Sequence, residues 1–247
     1  PENYSGLYFP LAGDGGLKSS ITPNLGGDSK TDQNHFLLEP VSIENLHNNR
    51  STRNFWCRIE GKGCWSATGI SAEQELQKFT EAQDKSILEA GFMWQKVTRT
   101  SAKYGLQSEI TSFVDVDGAA EIELVRIKNI SEEVTKITPI AAIPLYGRSA
   151  DNIRDHRHVT SLLHRINTTE YGVEVTPVLS FDERGHQKNH TTYFVYGYSE
   201  KGDAPEAFYP TVQEFMGEGG TYLNPEAVRE NKPGRKAGGR AEGKEAM

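Results

Sequence analysis

Two cysteines, Cys57 and Cys64, are all that the 247 residues contain. That excludes a disulfide framework and fits a reducing compartment, so a cytoplasmic protein is expected. The pair flanks a turn-like "EGKG", and a cross-strand bridge is the lesser reading. No apolar run approaches the roughly 20 residues of a membrane span. No signal peptide is visible. An excess of positive charge is also missing: 27 Lys and Arg face 34 Asp and Glu, a net charge of −7. Nucleic acids and anionic membranes favour a basic face, so neither is expected as a partner. No Gly-rich phosphate loop follows a strand, because "GDGG" and "GEGG" lack the G-x-G-x-x-G spacing. No G-x-S-x-G elbow occurs. The chain opens at Pro1 without a methionine and reads as a piece of something longer.

What is present is mostly strand signal. "NFWCRIEGKGCWSATG", 54–69, reads as a β-hairpin around Gly61 and Gly63. "ILEAGFMWQKVTRTSAKYG" gives one strand, "LQSEITSFVDV" the next, "AAEIELVRIKNI" another and "VTKITPIAAIPLY" a fourth. In the third, Ile122, Leu124 and Ile127 set against Glu121, Glu123 and Arg126 give imperfect period-2 alternation. "GVEVTPVLSFDE" and "HTTYFVYGYS" follow later. "SAEQELQKFTEAQ", 71–83, is the helix candidate, with Ser71 as cap and Gln74 at the capping-box position. Residues 207–217 read as a second, short helix. Strands at this spacing with so little helix between them predict an all-β, large antiparallel sandwich with one or two short helices. A single domain over 1–247 is expected. Its first 54 residues are loop-rich, anchored by Tyr8, Phe9, Phe36, Leu37 and Leu38. Residues 230–247 are Gly-rich and charged, and by composition form a tail or linker.

The densest polar stretch is "GRSADNIRDHRHVTSLLHRI", 147–166. It holds Arg148, Asp151, Asn152, Arg154, Asp155, His156, Arg157, His158, His164 and Arg165. Such a set locks a loop through Arg–Asp pairs, holds a metal, or binds a polyhydroxylated or anionic ligand. Metal is disfavoured, because Arg154, Arg157 and Arg165 repel a divalent cation and the spacing fits no zinc signature. Arginine forks and carboxylates suit sugar hydroxyls and phosphates through bidentate hydrogen bonds. "DVDGAAEIE", 115–123, shares two acids and a glycine with a calcium loop but reads as a hairpin turn. Trp56, Trp65 and Trp94 read first as core residues. On an open sheet face, Trp56 and Trp65 would instead be sugar-stacking platforms. Carboxylates are abundant, yet sequence nominates no pair to flank a glycosidic bond.

Two stretches carry a family resemblance. "LQSEITSFVDVDGAAEIELVRIKNISEEVTKITPIAAIPL", 106–145, is similar to an "E-x-T-x-F-V" strand running into a "V-E-L-x-R-(I/L)-x-N-x-S" strand. "FYPTVQEFMGEGGTYLNPEAV", 208–228, is similar to a segment ending "N-P-x-A-V". A weaker third is "GRKAGGRAEGKEAM", 234–247. Together they resemble the N-terminal supersandwich domain of glycoside hydrolase family 94, a galactose-mutarotase-like sandwich of inverting phosphorylases. "YFPLAGDGGLKSSITPNLGGDSKTDQNHFLLEPVS", "LHNNRSTRNFWCRIEGKGCWSATG" and "PLYGRSADNIRDHRHVTSLLHRI" most resemble its β-1,2-glucan branch. That branch comprises the 1,2-β-oligoglucan phosphorylases and the phosphorylase region of cyclic β-1,2-glucan synthases.

The resemblance implies cleavage of a glycosidic bond by inorganic phosphate, giving glucose 1-phosphate, with no cofactor. It also implies that the catalytic acid lies in a C-terminal (α/α)₆ barrel absent from this chain. No catalytic residue is therefore assigned here. The expected partners are a β-glucan oligosaccharide, the protein's own barrel and a second copy in a homodimer. The 147–166 stretch is expected to project toward the catalytic cleft or the dimer interface. The competing expectations are a stand-alone carbohydrate-binding sandwich and a purely structural dimerisation domain.

Overall fold

Glycine and serine punctuation turns residues 7–42 into a small meander rather than loops alone. In the computed structural model, which describes residues 7–42, 49–150, 157–182 and 185–247, this meander has four strands. They are β1 (Phe9–Ala12), β2 (Lys18–Ile21), β3 (Ser29–Asp32) and β4 (His35–Phe36), paired in that order. The run "GDGG" has a packing role. A Cβ at Gly13 would sit 2.2 Å from the Asp115 carbonyl oxygen, and one at Gly15 would sit 2.4 Å from that of Gly118. The glycines let this turn lie against the "DVDGA" turn, where the Gly15 amide donates to the Val116 carbonyl at 3.1 Å.

The 54–69 hairpin forms as expected. β5 (Asn54–Ile59) pairs with β6 (Gly63–Ser66), and β11 (Ile137–Ala142) flanks β5 on its other side. Cys57 lies opposite Trp65 and Cys64 opposite Arg58, so the two thiols are offset, and both are free. Residues 87–105 depart from the single-strand expectation. Met93 takes φ 58° and folds the run into β7 (Lys85–Gly91) and β8 (Trp94–Ser101). These join β9 (Leu106–Val114) and β10 (Glu121–Asn129) in a sheet ordered β10-β9-β8-β7. Residues 115–120 are the turn between β9 and β10.

The helix expected over 71–83 is shorter. α1 spans Ala72–Gln77, Ser71 caps it by accepting from the Gln74 amide, and Phe79 at φ 64° lies just beyond its end. Beyond β11 come α2 (Arg157–Ser161), β12 (His164–Thr168), β13 (Gly172–Pro177), the β14 (Leu179–Asp182) and β15 (Gly185–Lys188) hairpin, and β16 (Tyr193–Tyr196). Two short helices follow, α3 (Val212–Met216) and α4 (Glu226–Arg229). The charged end is no tail. β17 (Arg240–Glu242) pairs with β12, completing a sheet ordered β16-β13-β12-β17. Ala246 and Met247 are buried. Small and apolar side chains at 241, 246 and 247 give this end something to bury, which its average composition conceals.

Among the described residues, strands account for 43% and helices for 9%, and the sheets are antiparallel. The largest core lies between β7–β10 and the two sheets above it. It joins Leu11 and Ile21, Cys57, Ile59 and Trp65, and Leu106, Ile110 and Val114. β5 is buried on both faces: Trp56 points the other way, into a second core with Phe215, Val228 and Met247. A third core, with Leu145, Ile166, Val175, Phe208 and Ala246, lies under the β12–β17 sheet. Among the described residues no helix is long and apolar enough to cross a membrane.

Candidate functional site

The polar stretch 147–166 is several elements rather than one loop. Its first residues run beside β4: the Phe36 amide donates to the Arg148 carbonyl at 2.9 Å, and the Ala150 amide to that of Gln33 at 3.0 Å. Asp151, Asn152, Arg154, Asp155 and His156 lie outside the described residues. The chain resumes in α2, whose backbone carries Arg157 and His158. His164 and Arg165 open β12, where Arg165 faces Glu242 of β17.

Arg148 is the member whose side chain anchors this base, and its expected ligand contact is corrected. The residue is 6% exposed. Its Nε donates to the Tyr146 carbonyl at 2.9 Å, and one terminal nitrogen donates to Thr160 Oγ1 at 2.7 Å. The guanidinium lies 4.5 Å from the centre of the Tyr146 ring and 3.9 Å from Glu245. Buried cations need such partners, and with them Arg148 ties the loop base to α2 and to the chain's end. His164, beside it, is fully buried. Burial and the Arg148 charge lower its pKa to about 3. It is therefore neutral, and its Nδ1 lies 3.1 Å from the Lys244 carbonyl, to which it donates.

Trp56 and Trp65 are also corrected as sugar platforms. They are 2% and 1% exposed, so neither ring offers a face to a ligand. Trp56 on β5 and Trp65 on β6 belong to one sheet and pack into different cores, one on each of its faces. The Trp65 indole N–H donates to Asp84 at 2.8 Å. Among the described residues no three His, Cys, Asp or Glu side chains come together as a metal site.

A buried charge cluster was not foreseen. Arg53 sits just before β5 with its side chain 3% exposed, paired with Glu121 of β10. The Arg53 guanidinium also donates to the carbonyls of Gly27 at 2.9 Å and Asp28 at 3.2 Å, fixing the "NLGGD" turn. Burial works to raise the Glu121 pKa, but the Arg53 charge and hydrogen bonds from Arg53 and Ser19 prevail and lower it. Glu123 goes the other way. Burial and the Glu121 charge lift it well above the usual carboxylate range. Its Oε2 accepts from Ser112 Oγ at 2.6 Å.

Above this cluster the β1–β4 meander opens a polar hollow of about 310 Å³, lined among others by Tyr8, Lys18, Ser19, Asp28, Lys30 and Val41. Tyr8 is half exposed. Sequence reading missed these lysines because each is a lone cation among Gly and Ser, and only strand pairing brings them together. The signal for the buried acids was present but subtle: Glu121 and Glu123 share the strand phase of Val125 and Ile127.

The large antiparallel sandwich with few, short helices defines the class of fold. Comparison with known families gives the particular one. The chain matches "Glycosyl hydrolase 94, supersandwich domain" over residues 13–242. It therefore belongs to that family and is its supersandwich domain. Among curated proteins, none matches the chain.

Proposed function

We propose that this chain is the accessory sandwich of an inverting phosphorylase acting on β-glucans, β-1,2-linked, with phosphate as co-substrate and glucose 1-phosphate as product. The observation that carries this reading is the family match across 13–242, nearly the whole described fold. The acid that protonates the leaving oxygen is assigned to a helical barrel elsewhere in the protein. Phosphate replaces the water of an inverting hydrolase, so the sandwich need supply no general base. Its task is to hold the segment after Arg148 against glucan. The Arg148–Thr160–Glu245 base supports that role, because a recognition loop gains from a rigid foundation.

A second reading has its own observation. Leu124, Trp94, Phe92 and Val116 leave apolar surface exposed on and beside the outer face of the β7–β10 sheet. Such a patch suits docking to the barrel or to a second copy.

The test is phosphate release from glucose 1-phosphate with sophorose as acceptor, run on the full gene product. Turnover is expected, weakened about tenfold or more when Arg154, His156 and Arg157 become Ala, with Tm unchanged. No turnover with any β-glucan acceptor overturns the proposal. A collapse of Tm in the triple variant overturns the loop's recognition role.

A further inference from the structure

Lys18 on β2 and Lys30 on β3 stand directly opposite each other in an antiparallel pair. Both line the hollow. Side chains so placed are about 5 Å apart at Cβ, and like charges there oppose strand pairing. Acids are not scarce in this chain. Lys62, Lys78, Lys96, Lys103 and Lys232 each meet a glutamate within 3.0 Å. Neither Lys18 nor Lys30 has an ion pair among the described residues, and Lys30 rests over the Phe36 ring, 4.7 Å from its centre.

Asp28 is the sole carboxylate among the described lining residues. Its two oxygens accept from Ser20 Oγ and the Val41 amide, each at 3.2 Å. The turn that carries Asp28 is held by Arg53. The two lysines therefore stand on a braced platform, and among the described lining residues Asp28 is their sole acidic neighbour.

We infer that this hollow is a binding site for a tetrahedral oxyanion, bridged between Lys18 and Lys30 with the Tyr8 hydroxyl as a further donor. The anion removes the repulsion between the lysines and gains charge-assisted hydrogen bonds from both. At about 310 Å³ the space admits a phosphorylated sugar as well as free phosphate. The inference does not depend on the proposed function, since it needs neither a barrel nor turnover.

The test is a phosphorus NMR titration and thermal melt of the whole chain in low-salt buffer. The probes are inorganic phosphate, glucose 1-phosphate and glucose. Without anion, Lys18→Gln is expected to melt at or above the wild-type temperature, because it removes like-charge repulsion. With millimolar phosphate the wild type gains Tm, and Lys18→Gln binds about tenfold more weakly. Tighter binding of glucose 1-phosphate than of phosphate identifies a sugar phosphate as the ligand; equal binding identifies the free oxyanion. Three results each overturn the inference: glucose binding as well as its phosphate ester, phosphate affinity unchanged in Lys18→Gln, or a lower Tm for Lys18→Gln without anion.

Discussion

Glu121 and Glu123 stand two residues apart on one strand and titrate in opposite directions. Glu121 has its folded pKa lowered, so its contribution to stability is present above the ordinary value of 4.5 and is lost as pH falls through the folded value. Glu123 has its folded pKa raised, so its contribution is full below 4.5 and is lost as pH climbs toward the folded value. Glu123→Gln keeps a neutral hydrogen-bonding group and removes that alkaline loss. It is expected to stabilise the protein above pH 4.5, changing the slope of ΔG by up to about 1.4 kcal/mol per pH unit. Glu121→Gln leaves Arg53 buried without its counter-charge and should cost about 3–5 kcal/mol at neutral pH. Urea unfolding across pH measures both. Equal effects from the two variants would contradict the opposite directions of the two shifts. Residue chemistry of this kind was only half legible. Burial turns Arg53 from a surface cation into the clamp of a turn, and nothing adjacent in sequence announces it.

At the scale of elements, hairpin 54–69, the Ser71 cap and the turn at 115–120 were readable, because each rests on local backbone preference. β10 was readable as a strand but not in phase. Its apolar residues Ile122 and Leu124 pair with Phe113 and Thr111 on the outer face, while Glu121, Glu123, Val125 and Ile127 pair with the inward row of β9. Leu124 is 58% exposed, whereas Val125 packs on the largest core. Period-2 alternation distinguishes two faces without saying which one the next layer covers. Val125→Ser is accordingly expected to cost about 2 kcal/mol, and Leu124→Ser to stay within about 0.5 kcal/mol. Thermal melts of the pair decide; the reverse order would mean that the register is wrong. The split of 87–105 at Met93 was hidden for a related reason. A two-residue turn without glycine or asparagine gives no compositional sign.

The whole molecule closes through its last residues. β17 pairs with β12, Ala246 bridges both Leu145 and Thr211, and Glu245 reaches Arg50 and Arg148. Deleting 240–247 therefore uncovers two cores and the Arg148 base together. A loss of more than about 2 kcal/mol is expected, seen as an earlier far-UV CD melt. An unchanged melt would return this segment to the tail that its composition resembles. By itself the sequence determined strand class, antiparallel hairpins, caps and the family pattern, because these depend on residues near one another or on whole-segment likeness. Tertiary structure alone decided which side of β10 faces inward, that Arg148, Trp56 and Trp65 are enclosed, and that Lys18 meets Lys30. Each of those outcomes depends on which distant segment covers a face, and burial, unlike strand propensity, is a property of the pair of surfaces and not of either one.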